Sequence, residues 1–229
     1  MPSTTRKDRR TTLTFAFLFG VVVIIVVLIA VLVTTGDSDD VVLDDGTVID
    51  ETQVEEAAQV EVAGDQLPPF NPEGQDSAIG MPMPGLSGTD ISGEPVDLGA
   101  DGPAAYVFLA HWCPHCRDEV PQVQELINEG SFPDEVEIRA VATGNSPSEA
   151  NYPPTAWLHT EGWTPPTLVD DDMAEGAGDN EPGAAAEAAG LSGFPYWVFT
   201  DADGTVVHRQ SGAIPGDALL EIMNNLAAL

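Results

Sequence analysis

Trp112-Cys113-Pro114-His115-Cys116 stands one residue after the apolar run Ala105-Tyr106-Val107-Phe108-Leu109-Ala110, and its two cysteines are the only ones in 229 residues. The apolar run has the length and composition of a strand at the centre of a sheet, covered on both faces. Proline after Cys113 suits the first position of a helix, where its missing N–H has no partner to lose. Val120, Val123, Leu126 and Ile127 then recur at helical spacing, so a helix is expected from Pro114 to about Glu129. Cys113 falls at its start, where free N–H groups and the helix dipole favour a thiolate. Because the thiolate is the attacking species in disulfide exchange, this spacing fits an exchangeable bond better than a structural staple.

Further along the chain, Val136–Val141 reads as the next strand. Strand, helix and strand of these lengths imply a right-handed parallel crossover. A helix is expected near Ser148–Thr160, a short strand over Thr167–Val169 and an acidic surface loop over 170–183. One or two helical turns follow at Ala184–Ala189. Tyr196–Thr200, Asp201-Ala202-Asp203-Gly204 and Thr205–Gln210 carry a hairpin signature. Ala218–Leu229 closes the chain as an amphipathic helix. The class is α/β, with the ordered domain expected over 79–229. Residues 35–78 read as an acidic flexible linker whose one aromatic is Phe70. Such a segment buries too little apolar surface to offset its chain entropy. Within it, Val41-Val42-Leu43 and Thr47-Val48-Ile49 are spaced for a small hairpin around Asp45-Gly46.

The N-terminus differs from everything after it. Arg6, Lys7, Arg9 and Arg10 precede Phe15–Val33, 19 residues without a charge. As a helix this run would span roughly 28 Å, close to the thickness of a bilayer's hydrocarbon core. It is longer than the apolar region of a signal peptide, and Val33-Thr34-Thr35-Gly36 is a poor cleavage site. The sequence therefore predicts a single-pass signal anchor over residues 12–34, in contact with the lipid bilayer, with residues 1–11 cytoplasmic. The positive-inside rule places the rest of the chain outside the cell membrane. All but one of the 38 acidic residues lie beyond the anchor, against three basic ones, Arg117, Arg139 and Arg209; the net charge of the chain is −31. A surface of this sign argues against nucleic acid or anionic lipid headgroups as partners. It also disfavours thiolates at long range, so any lowering of the Cys113 pKa must come from local groups.

Three stretches resemble the thioredoxin-like superfamily, and within it the membrane-anchored TlpA/ResA type. They are the lead-in from Ile79 to Pro84 with Ile91–Leu98, the Trp112–Cys116 motif, and Leu191-Ser192-Gly193-Phe194-Pro195-Tyr196-Trp197-Val198-Phe199-Thr200-Asp201. The resemblance implies a thioredoxin-like fold, a central mixed sheet flanked by helices, and a thiol-disulfide oxidoreductase. It makes Cys113 the nucleophile and Cys116 the buried resolving thiol, with Trp112 shielding the pair. It makes Pro195 a proline after a cis bond beside the cysteines, leaving the backbone of Phe194 free to pair with an extended client. The Pro114-His115 dipeptide is similar to that of the oxidant DsbA. A protonated His115 would stabilise the Cys113 thiolate and make the disulfide more oxidising. The TlpA/ResA-type body argues for reductants instead, so the two features point in opposite directions.

The family also has a buried acid six residues before its first active-site cysteine. Here that position is Val107, and Glu119 is expected to face solvent, so proton transfer to Cys116 needs water or another group. The implied partners are thiols or disulfides of extracytoplasmic proteins and a redox partner in the membrane. No cofactor or metal is called for. Two alternatives stand beside this reading. His111, Cys113, His115 and Cys116 could hold copper or zinc, although four ligands within six residues would strain a helix start. The domain could also be a non-enzymatic adaptor at the membrane, against which the intact cysteine pair argues. His159 and His208 are isolated and read as surface or strand residues. Trp157, Trp163 and Trp197 read as packing.

Overall fold

A computed structural model describes residues 41–42, 48–49, 60–170 and 181–229. The chain divides into two units, Met1–Asp39 and Asp40–Leu229. The expected anchor over 12–34, the terminus before it and most of residues 35–59 lie outside the described residues. Among the described residues no helix is long and apolar enough to cross a membrane. The small hairpin expected around Asp45-Gly46 is present: β1 (Val41–Val42) pairs antiparallel with β2 (Val48–Ile49), Val41 opposite Ile49.

A three-stranded sheet follows, built from β3 (Glu61–Ala63), β4 (Gly85–Thr89) and β5 (Pro95–Asp97), with β4 in the middle. The expected start of the ordered domain near Ile79 is thus too late, because the packed chain already includes Val60. Leu67 and Ala78 are buried, and Val60, Val62 and Phe70 pack against the same core. What holds this acidic stretch down is a buried cation, which composition alone does not reveal. Arg209 is 3% exposed. It grips both carboxylate oxygens of Asp76, through Nε at 2.8 Å and through Nη2. Its Nη1 donates to the Pro68 carbonyl at 2.9 Å and to the Tyr196 hydroxyl at 3.1 Å.

The main sheet has the order β10-β9-β6-β7-β8. Its centre is β6 (Ala104–Leu109), parallel to β7 (Glu137–Thr143) and antiparallel to β9 (Tyr196–Thr200). At the edges, β8 (Thr167–Asp170) runs parallel to β7, and β10 (Val206–Ser211) runs antiparallel to β9. Every residue of β6 is buried, and alternation along the strand divides them between two apolar layers. Ala105, Val107 and Leu109 face the layer that contains both cysteines, Val120 and Val123 of α1 (Pro114–Asn128), and Leu219 and Met223 of α4 (Gly216–Leu226). Ala104, Tyr106 and Phe108 face Leu67, Leu86 and the alanines of α3 (Ala184–Ala188). A strand covered on both sides has no polar face to alternate with, hence the uninterrupted apolar run.

Two further expectations need correction. The helix expected over Ser148–Thr160 is only α2 (Pro154–Thr160). Asn151 is left-handed at φ 64°, and consecutive prolines at 153 and 154 push the residues before them out of the helical region. Asp170, expected to open an acidic surface loop, is 1% exposed and caps α3 instead. Its two carboxylate oxygens accept the Ala185 and Ala186 N–H groups, each at 2.9 Å. Gly183 makes the approach possible, since a Cβ there would fall 2.5 Å from Asp170 Oδ1. Residues 171–180 lie outside the described residues.

Candidate active site

The carboxyl end of β6 delivers the chain directly into the cysteine motif. Cys113 occupies the N-cap of α1 in an extended conformation, and Pro114 is the first helical residue. Both cysteines are free thiols; Cys113 is 6% exposed and Cys116 is wholly buried one turn along. Pro114 and His115 are exposed.

The surroundings act on the two sulfurs in opposite senses. The Cys113 pKa is lowered to about 6, first by a hydrogen bond from the Cys116 thiol. Burial works against this, while the Cys116 and His115 backbone N–H groups and the charge of a protonated His115 assist it. These are the free donors expected at a helix start. Burial pushes the Cys116 thiol far up, and the neighbouring Cys113 sulfur raises it further. The pair is therefore asymmetric, with Cys113 ionised near neutral pH and Cys116 keeping its proton.

Two aromatic residues stand beside Cys113, Trp112 as its chain neighbour and Phe194 across the fold. The Trp112 ring meets the Phe194 ring edge-on, with centroids 5.6 Å apart and planes at 83°. The Trp112 indole N–H donates to the Gly144 carbonyl at 2.8 Å. The Phe194–Pro195 bond is cis. The Phe194 carbonyl lies 3.8 Å from Cys113 Sγ, a long S–H···O contact. Chain segments 81 residues apart thus meet at the sulfur, and all seven residues Trp112, Cys113, Pro114, His115, Cys116, Phe194 and Pro195 fall in one region.

Glu119 does not face solvent as expected; it is 3% exposed. It lies three residues after Cys116 on the inward side of α1, beside Val120 and Val123. Its Oε1 accepts the Ile214 N–H at 2.7 Å, and its Oε2 accepts the Trp197 indole N–H at 3.2 Å. Burial raises its pKa to about 7, with the two donors opposing the rise. A buried carboxyl group is therefore present on α1, although Val107 carries none. The signal was available in the spacing, because residues three apart on a helix share a face and Cys116 had to be buried.

His111 takes a structural role. It is wholly buried, its Nδ1 donates to the Ala150 carbonyl at 2.7 Å, and its Nε2 accepts the Ser146 N–H at 3.1 Å. With both ring nitrogens used, no lone pair is left to join a metal, which removes one of the four ligands of the metal alternative. Burial lowers its pKa, in keeping with a neutral ring. His159 is exposed on α2, and His208 is exposed on β10, stacked on Phe199.

The sequence pattern of the thioredoxin-like domain matches residues 98–227. The chain belongs to the thioredoxin-like domain family. Among solved structures, it is similar to a candidate protein disulfide isomerase from Bacteroides thetaiotaomicron, at 20% identity and TM-score 0.50, over 66% of this chain and 91% of that one. It is also similar to StoA from Bacillus subtilis, at 21% identity and TM-score 0.46, over 58% and 91% of the two chains. A third is a secreted Mycobacterium tuberculosis disulfide oxidoreductase homologous to E. coli DsbE, at 22% identity and TM-score 0.43, over 62% and 95%. Likeness at these identities speaks to the thioredoxin-like fold alone. No curated protein matches the chain.

Proposed function

We propose that this thioredoxin-like protein is a thiol-disulfide oxidoreductase of the TlpA/ResA type, held in the cell membrane by residues 12–34 with its domain on the extracytoplasmic side. It exchanges disulfides with thiols of secreted or membrane proteins, and a redox partner in the membrane restores it. The observation that carries the reading is the asymmetry of the pair: Cys113 ionises near pH 6 at a helix start while Cys116 is sealed beneath it. A sulfur ionised at neutral pH stabilises the dithiol form, which favours disulfide donation.

In that direction a client thiolate attacks Cys113 of the Cys113–Cys116 disulfide. The client–Cys113 bond forms, the bond to Cys116 breaks, and Cys116 leaves with the electron pair and takes up a proton from Glu119. The client's second thiolate then attacks its own half of the mixed disulfide and releases the Cys113 thiolate. The client has lost two electrons and the cysteine pair has gained them. Phe194 and Trp112 border the reactive sulfur, so a client presents its cysteine beside two aromatic rings.

The test is trapping followed by potentiometry. Cys116→Ser should accumulate mixed disulfides with a disulfide-bonded peptide, and Cys113→Ser should accumulate none. The reduction potential of the pair should lie nearer the roughly −120 mV of DsbA than the roughly −270 mV of thioredoxin. A value near the latter overturns donation, and an inert Cys113 overturns exchange altogether.

A further inference from the structure

Val107 and Trp197 are cross-strand partners on β6 and β9, and both face the layer that holds the cysteines. Among the described residues the buried carboxylates are Glu119 and Asp170. Asp170 is committed to capping α3, whereas Glu119 lies one turn from Cys116. Its two oxygens are divided between donors from two other parts of the fold, Trp197 on β9 and the Ile214 amide just ahead of α4. The indole is itself fixed: it is fully buried and stacks on Phe199 with centroids 5.7 Å apart and planes at 7°. A carboxylate tied at both oxygens from elements other than its own helix cannot swing away from the thiols.

We propose that Trp197 is a positioning residue for thiol exchange, its indole N–H holding the Glu119 carboxylate beneath the cysteine pair so that it can take and return the Cys116 proton. The inference rests on the exchange reading above. The transfer moves a proton between Cys116 Sγ and a Glu119 carboxylate oxygen and involves no electrons. Among the described residues, the ionisable groups electrostatically linked to Glu119 are Cys113, at the N-cap of its helix, and Cys116. β9 presents the indole, and the segment before α4 presents a backbone amide. Asp217 and Glu221 of α4 are exposed, and His208 of β10 is one ring further out, stacked on Phe199. A buried indole N–H would otherwise lack an acceptor, so the contact serves both partners.

The first test needs no substitution at Trp197. In the reduced full-length chain labelled with 15N, the Trp197 indole N–H resonance should shift with a midpoint near pH 7, and the shift should vanish in Glu119→Gln. A resonance that stays flat from pH 5 to 9 overturns the proposal. The second uses Trp197→Phe, which keeps a ring but removes the donor. The pH profile of Cys116-dependent resolution should move up by about one unit, the size expected for losing one hydrogen bond to a charged acceptor. In Glu119→Gln the added Trp197→Phe change should have no further effect on that profile. Additive effects of the two substitutions mean that Trp197 merely packs, and overturn the proposal. Alkylation of Cys113 keeps the two failures apart, since a reactive Cys113 with an indifferent Trp197 sinks this inference and leaves the exchange reading intact.

Discussion

Arg209 reaches across 133 residues of sequence to grip both carboxylate oxygens of Asp76. The guanidinium is wholly buried and the carboxylate nearly so. A buried pair adds little over an apolar replacement, but removing one member leaves an unpaired charge inside the protein. Asp76→Ala should therefore destabilise the domain by about 3–5 kcal/mol, read from the denaturant midpoint. A midpoint within error of wild type would show that the guanidinium finds water or another partner. The Arg209 hydrogen bond also lowers the Asp76 pKa from its usual 3.8. A depressed acid stabilises the fold above its unfolded pKa, so this contribution is present above about pH 4 and is lost as pH falls through the lower folded value.

The Cys113 thiolate sets a second expectation. With a pKa of about 6, iodoacetamide alkylation of the reduced protein should be half-maximal near pH 6 rather than above 8. His115→Ala removes a helpful charge and should move the midpoint upward while leaving the thermal melt unchanged. The sign for stability follows the same logic. The folded pKa is depressed, so the reduced form gains stability over the disulfide form as pH rises from about 6 towards the unfolded thiol value. A midpoint above 8 would leave the asymmetry of the pair without support.

These groups differ in how visible they are in the chain. The sheet centre and α1 follow from local signals, an apolar run and a proline at a first helical turn, whereas the meeting of Cys113 with Phe194 was implied only by the family resemblance of the Gly-Phe-Pro stretch. The hairpin at residues 41–49 was legible from two apolar pairs around Asp-Gly. The polar interior was not. Glu119, Asp170 and Arg209 each belong to a residue type usually found in water, and composition places them there. Their burial depends on partners 78, 15 and 133 residues distant. The same blindness turned residues 60–78 into a linker, because Asp76 looks like solubilising charge until Arg209 is seen.

Glu119 carries the opposite pH sign from Asp76. Burial raises its pKa from 4.5 to about 7. Its contribution to stability is full below about pH 4.5 and is lost as pH rises through 7, where the charged form must be buried. Between pH 4.5 and 7 the reduced Glu119→Gln domain should gain stability relative to wild type, a difference that isolates this carboxyl from the other titrating groups. The same variant should slow resolution of the mixed disulfide by 10²-fold or more at neutral pH, the usual scale for a positioned acid–base group. Unaltered resolution in a folded Glu119→Gln protein would assign the proton to solvent.

His111 supports the site from behind, and acid should undo that support. Its neutral ring ties the turn after β7 to the strand end through Ala150 and Ser146, and Asn151 Nδ2 returns a hydrogen bond to the His111 carbonyl at 2.9 Å. The same turn supplies the Gly144 carbonyl that anchors Trp112. Protonating Nε2 would set a donor against the Ser146 N–H. Burial lowers the pKa below the usual 6.5. The ring's contribution is therefore complete above about pH 6.5 and is lost as pH falls through the lower folded value. Hydrogen exchange across residues 144–153, corrected for the intrinsic effect of pH, should show the Ser146 amide losing protection on acidification before the β6 amides do. A Ser146 amide protected equally at pH 7.5 and pH 4 would mean that the turn is held by Asn151 and packing alone.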